Sequence, residues 1–477
     1  MDICESVKIK HTKMKRPKKG LRHISWHGLL NRLKEDPQVI TMLVMAFLLP
    51  FSVEVPLAFG AMLRVPTEPL IALAALLLLA DAFRSSAQFR DIFFKKELLW
   101  LTPLLLAFLV SIPFSEMVVV SLKFTAVNVL YLFVFFVLMM RLSERQPDLF
   151  PRMLLLYGMG LLAVWLWSVY QYWQYGWNPV VMRGIFKPFY NDHTIFGASA
   201  ALLAAFWLGM ARIKHPKKTK IIYFMMGLAF VGLVVFSTSR AAFLSLFFCL
   251  FVMMLLKLQL KLLHIAVLLV IAVAAVIVFQ QPLVNRLQRM EASSSNHDVS
   301  LPERTLSAAN ISTDVSNLER MNRWLSAWRM FRERPLTGFG PGTYQFTYIP
   351  YQDSALMNRL TVTDPHNVPE GSGGTAHNEY LLAMSEMGIM GLLGWLVIIG
   401  RWIFVAFSTR KTHPHRMEIV VAFAALATYL FHAMFNNFLT TDKFAFLFWG
   451  TAAWMLANHC KQTQSNSFSS HKLTSNP

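Results

Sequence analysis

The chain has 477 residues, 55% of them apolar and only 15% charged, with a formal net charge of +19. Soluble domains carry about a quarter charged residues, so this balance excludes a soluble enzyme, and repeated membrane-length apolar runs point to a polytopic helical membrane protein. A membrane barrel would show short alternating segments, which are absent, and the positive charge lies in the N-terminus and between apolar runs rather than in a nucleic-acid-binding patch.

In chain order, residues 1–37 carry Lys8, Lys10, Lys13, Lys15, Arg16, Lys18, Lys19 and Arg22. No small-residue cleavage site follows the first apolar run, so this segment reads as a basic cytoplasmic tail and not a secretory signal. Twelve candidate spans follow, at 39–60, 67–83, 98–114, 117–140, 153–173, 194–211, 221–239, 241–257, 262–281, 379–400, 417–438 and 443–458. The first contains Glu54 and Pro56, so it is expected to be broken or to end near Pro50. The expected layout is thus a tail (1–37), spans one to nine (38–281), a long loop (282–378), spans ten to twelve (379–458), and a polar cytoplasmic tail (459–477) whose composition reads as disordered. The fold class is an all-α polytopic membrane protein of about twelve transmembrane helices with one long, partly helical outer loop. Cys4, Cys249 and Cys460 are scattered and form no metal or disulfide pattern.

Charge sets the orientation. With the basic tail inside, the inner loops carry Arg84, Arg90, Lys95 and Lys96; then Arg141, Arg145 and Arg152; then Arg212, Lys214, Lys217, Lys218 and Lys220; then Lys257 and Lys261; and finally Arg401, Arg410, Lys411 and Arg416. Five basic junctions agree with the positive-inside rule. Three segments then lie outside: the loop 174–193, the turn Ser237-Thr238-Ser239-Arg240, and the long loop 282–378.

The long loop contains no Lys, but nine Arg matched by nine carboxylates. Arg without Lys favours planar, bidentate recognition of oxyanions. Residues 291–317 are polar and read as flexible. Over 318–334, Leu325, Trp328 and Phe331 recur at helical spacing, with Arg320, Arg323 and Trp324 on a neighbouring face. This predicts an amphipathic helix on the outer membrane surface that ends before Pro335. Gly338, Gly340 and Gly342 follow as a turn, then Tyr344, Tyr348 and Tyr351. His377-Asn378 opens span ten, with Gly388 and Gly391 beyond. Asp192 and His193 read as caps of the helix opening at Thr194. His432, Asn436 and Asn437 read as helix–helix hydrogen-bonding groups rather than a site.

These segments resemble the O-antigen ligase and polymerase family of bacterial envelope enzymes. His377-Asn378 with Gly388-Ile389-Met390-Gly391 is similar to its histidine motif at the end of the long outer loop. Thr238-Ser239-Arg240 is similar to its short-loop arginine. Arg320 with Trp324, Ala327 and Pro335-Leu336-Thr337-Gly338-Phe339-Gly340 is similar to its arginine-bearing helix, and Asn191-Asp192-His193-Thr194 with Gly197 to the segment opening an earlier helix. The resemblance implies a GT-C-like enzyme of the bacterial inner membrane with both termini cytoplasmic. The implied reaction is an inverting, metal-independent glycosyl transfer on the periplasmic face that needs no cofactor. The donor is an undecaprenyl-diphosphate-linked glycan. The acceptor is lipid A-core in ligases, another repeat unit in polymerases, or a protein hydroxyl in O-oligosaccharyltransferases. In that reading His377 is the general base, and Arg240, Arg320, Arg323 and Arg183 bind the diphosphate. Asn378 and Glu386 support the site, and Trp324, Tyr344 and Tyr348 stack on sugar rings. A rival class, a lipid flippase or transporter, predicts internal repeats and mid-membrane charges, and no clear repeat is present.

Overall fold

A computed structural model describes residues 36–56, 62–213, 215–258, 301–364, 374–409 and 417–474; for 301–316 and 461–474 only the backbone is considered. The described chain is almost entirely helical. The helices are α1 Pro37–Leu48, α2 Thr67–Ala82, α3 Ser86–Phe93, α4 Thr102–Ser111, α5 Val118–Arg145, α6 Leu149–Gln174, α7 His193–Met210, α8 Lys217–Phe236, α9 Arg240–Lys257, α10 Leu301–Glu333, α11 Glu379–Thr409, α12 Met417–His432 and α13 Asp442–Thr474. Six of them (α5 to α9 and α11) are long and apolar enough to cross a membrane, while Pro37–Phe51, Thr102–Phe114 and Met417–His432 are shorter apolar helices. The expected ninth span, 262–281, lies outside the described residues.

The first expected span ends near Pro50, one of the two outcomes its Glu54 and Pro56 suggested. Helix α1 stops at Leu48, a short 3-10 turn covers Leu49–Phe51, and the chain then forms a hairpin of β1 (Val53–Pro56) and β2 (Met62–Val65), paired antiparallel with Val53 opposite Val65. Glu54 and Pro56 sit in this hairpin, where Glu54 faces Arg64 at 3.1 Å, an arrangement with no need to bury an unpaired carboxylate in hydrocarbon. At the other end of the chain, α13 continues to Thr474, through the stretch whose composition reads as disordered. Residues 459–474 contain no Gly or Pro to stop a helix. Likewise α10 begins at Leu301, within the segment read as flexible.

The chain forms two compact units: residues 1–94, 132–191 and 449–477 make the first, and 95–131 and 192–448 the second. In the first, α1 packs on α2 and α6. Gly160 of α6 allows this, since a Cβ there would lie 2.6 Å from the Phe47 carbonyl. Arg141 and Asp81 form a buried ion pair here, so one of the arginines expected in an inner loop is a packing element.

The second unit is built around α7, which is apolar on every side and buried almost throughout, as expected of a central helix. It packs on α8, α9 and α12, while α8 and α9 leave many of their apolar side chains exposed outward. Helix α11 packs on α4, α10 and α12. Gly394 permits the α4 contact, as a Cβ there would lie 2.8 Å from Leu104 Cα. In the second half of α11, Arg401 grips Glu97 through two bonds of 3.1 and 2.6 Å.

The described part of the long loop has its own core: Ala327, Met330, Phe339, Tyr344, Tyr348, Val362, Ala376 and Leu382. Helix α10 contributes to it a face that apolar periodicity does not mark. Leu318, Glu319, Asn322, Arg323, Ser326, Ala327 and Met330 are buried, whereas Trp328 is exposed and Leu325 and Phe331 are half-buried. The Leu325/Trp328/Phe331 stripe is therefore the outer face of this helix, not its core face.

Candidate active site

His377 ends the loop with a positive φ of 49°, in the left-handed region that non-glycine residues seldom occupy. Such a conformation costs about 1–3 kcal/mol and persists only where surrounding contacts enforce it. Those contacts come from four directions. Arg323 Nη1 donates to the Thr375 carbonyl at 3.0 Å, fixing the chain just before the histidine. Trp324 Nε1 makes a long, 3.5 Å contact with the His377 carbonyl. Asn378 caps α11, its Oδ1 accepting from the Tyr380 and Leu381 amides at 3.0 Å, while its Nδ2 donates to the Met434 carbonyl at 3.0 Å. Glu379 accepts from the Tyr429 hydroxyl at 2.6 Å and from the Leu439 amide at 3.2 Å.

Below this, α11 is broken at Gly388, with φ 64° and ψ −157°, a conformation open almost only to glycine. The segment Pro335–Gly340 docks into the break. The Ile389 amide donates to the Pro335 carbonyl (2.8 Å), Phe339 to Ser385 (3.1 Å) and Gly340 to Glu386 (2.9 Å). Each partner needs the other's missing side chain: a Cβ on Gly388 would lie 2.4 Å from the Leu336 carbonyl, and one on Gly338 would lie 2.3 Å from the Glu386 carbonyl carbon. The Glu386 side chain accepts from the Tyr344 amide at 3.0 Å, tying the tyrosine stretch to the same place. Two of the glycine-bearing sequence motifs are thus the halves of one joint.

The Arg residues separate by role. Arg323 is fully buried, with its Nε 2.8 Å from Glu319 Oε1, and Glu319 also accepts from the Thr361 hydroxyl at 2.8 Å. Its charge is engaged inside the loop, so it positions the chain before His377, in contrast to the diphosphate contact expected from sequence. Arg320 is half-buried, close enough to act electrostatically on both His377 and His432. Arg240 is exposed as the first residue of α9, after Thr238 at φ 53° and the capping residue Ser239. Gly197 of α7 lies against that turn, where a Cβ would stand 2.5 Å from Ser237 Oγ. Arg183 belongs to the other unit.

The tyrosines are a correction. Tyr344 and Tyr348 are buried and stacked on each other, with ring centroids 4.9 Å apart and planes 9° from parallel. Tyr344 also donates to the Arg323 carbonyl at 2.7 Å. They form the floor under Arg323, not an open platform for sugar rings. Trp324 is half-buried, its ring 6.3 Å from that of Phe435.

The residues that sequence reasoning left aside stand beside the histidine. His377 Nδ1 lies 3.2 Å from Asn436 Oδ1, and Asn436 Nδ2 lies 3.1 Å from His432 Nε2. Asp192 caps α7, accepting from the Thr194 amide at 2.8 Å, as expected, but its carboxylate also acts on both imidazoles. Burial, then the guanidiniums of Arg323 and Arg320, pull the His377 imidazole down from 6.5 to about 3. It is therefore neutral at every physiological pH. Nδ1 is committed to Asn436, so Nε2 is the nitrogen left to meet a substrate.

Residues 224–396 match the family model described as O-antigen ligase. No curated protein matches the chain. The matched stretch includes Arg240, Arg320, the Pro335–Gly340 segment, His377 and Gly388, the residues whose geometry is given above, so the likeness to the O-antigen ligase model covers about a third of the chain and most of the described site.

Proposed function

We propose that the protein transfers a glycan from undecaprenyl diphosphate to an acceptor hydroxyl on the outer face of the bacterial inner membrane, with inversion and without a metal, in the manner of an O-antigen ligase whose acceptor is lipid A-core. The observation that carries this reading is a neutral imidazole with Nε2 available, set at the head of a membrane helix and under the field of Arg320 and Arg323.

A sugar hydroxyl is a weak nucleophile at neutral pH, so removal of its proton as it attacks lowers the barrier. His377 Nε2 takes that proton. The hydroxyl oxygen forms the new bond to the anomeric carbon, and the bond from that carbon to the diphosphate oxygen breaks with its electron pair. The leaving diphosphate keeps the charge, and Arg320 and Arg240 are the cations that receive it. Burial is the main cause of the lowered His377 basicity, and the anion offsets the part that Arg323 and Arg320 add, so donor binding strengthens the base.

The test uses membranes supplied with lipid-linked donor and acceptor. His377→Ala is expected to lower transfer by about 10²- to 10⁴-fold with normal protein levels, the usual worth of a general base. Undiminished transfer would remove the base assignment. Gene deletion followed by gel analysis identifies the acceptor. Bare lipid A-core with polymer left on the carrier supports ligation, single repeats on lipid A a polymerase, and loss of glycan from periplasmic proteins a protein transferase.

A further inference from the structure

The turn after α12 lies beyond the family match, yet among the described residues it supplies a side chain bonded to the His377 ring. Asn436 bridges two imidazoles through the two ends of one carboxamide: Oδ1 stands 3.2 Å from His377 Nδ1, and Nδ2 stands 3.1 Å from His432 Nε2. The chemistry of the bridge is restrictive. An amide oxygen only accepts and an amide nitrogen only donates. In this orientation His377 must carry its proton on Nδ1, which leaves the lone pair on Nε2. His432 must present a bare Nε2 and carry its own proton on Nδ1. The reverse orientation of the amide would put a proton on His377 Nε2 and silence it as a base.

The surroundings hold the bridge in place. His432 is buried, so its ring cannot turn to water. The Asn436 amide bonds to the His432 carbonyl at 3.1 Å, and Asn378 grips Met434 in the same turn. One asparagine therefore clamps this turn to the head of α11 while another reads the ring beside it.

Resting on the general-base reading above, we propose that Asn436 is the positioning residue that sets the tautomer of His377, with His432 as the partner that takes the other end of its amide.

The experiment compares Asn436→Leu, Asn436→Asp and His432→Gln in the full-length enzyme in membranes, normalised to folded protein. Asn436→Leu leaves the ring free to take either tautomer and orientation, so kcat is expected to fall at least about 100-fold with the donor KM changed less than about threefold. Asn436→Asp still accepts from His377 Nδ1, and His432 can switch tautomer to donate to it. That variant is expected to keep kcat within about tenfold and to move the acid limb of the pH profile upward, because a carboxylate favours the imidazolium. The other charged and titratable groups around His377, namely Arg320 and Arg323 from α10, Asp192 at the head of α7, Glu379 on α11 and His432 on α12, are unchanged in that variant. His432→Gln presents an amide oxygen to Asn436 Nδ2 and is expected to stay within about tenfold of wild type.

Near-normal kcat in Asn436→Leu overturns the proposal. So does an equal loss in the Leu and Asp variants with an unmoved acid limb, the signature of a purely structural asparagine. His377→Ala separates the two readings: if it stays active, the base assignment falls, whereas an inactive His377→Ala beside an active Asn436→Leu removes only the role of Asn436.

Discussion

The two halves of α11 look alike in sequence and behave as different objects. From Glu379 to Gly388 the helix is buried on most sides, carries two carboxylates, and receives the loop. From Ile389 to Phe404 burial falls on one stripe, Gly391, Gly394, Trp395, Ile398 and Trp402, while Leu393, Leu396 and Phe404 face outward. The second half is an ordinary one-faced membrane helix. The first is a socket that happens to be written in apolar letters. The break at Gly388 divides them, so a single hydropathy window averages two environments.

Changes in the two halves should therefore differ sharply. The largest effect is expected from Gly388→Val. It forces a side chain into a glycine-only conformation and onto the Leu336 carbonyl, so the loop should come off the helix. Limited proteolysis in membranes should show the loop newly cut and transfer abolished. Gly400→Ala is the matched control in the second half, with no atom within 4 Å of the added Cβ, and is expected to behave as wild type.

Next in size is Arg323→Met, which strands Glu319 in the loop core. Breaking one partner of a buried pair costs about 3–5 kcal/mol, read as a loss of thermal stability. Arg320→Ala should leave stability unchanged and raise the donor KM roughly 10- to 100-fold, the worth of a charge-assisted contact to the diphosphate. If the two variants gave the same pattern, the division of labour between these arginines would fail.

The pH dependence is subtler. An imidazole depressed to about 3 stays unprotonated as pH falls through 6.5, so the acid limb of kcat/KM should lie near pH 3 rather than 6.5. In kcat the limb should sit higher, since bound diphosphate offsets the cations. A kcat/KM limb near 6.5 would show that neither burial nor Arg323 and Arg320 hold the free imidazole down. The smallest effect belongs to Leu396→Ala on the outward face, within about 0.5 kcal/mol by thermal shift.

Much of this was legible in the sequence. Membrane-length helices, a helix ending before Pro335, and His377 at the head of another all follow from hydropathy, glycine and proline. The depth of α10 was not, because its buried face is polar. Periodicity marks Leu325, Trp328 and Phe331, and only the pairing of Arg323 with Glu319 and Thr375 reveals which side turns inward. The same holds for Asn436, which stands 59 positions from His377 and in the sequence resembles any polar group at a helix end. A contact between such distant residues leaves no periodic trace.

The interval between His377 and Gly388 is a phase lock. Each helical residue advances the chain by about 1.5 Å and rotates it by about 100°. With the loop seated in the break and the imidazole held at the head, one residue inserted between Leu381 and Ser385 would swing the ring about a quarter-turn away from Asn436, or else pull Gly388 out of register with Leu336. No local repair absorbs that. Replacements along the interval are negotiable by size and polarity, but its length is not.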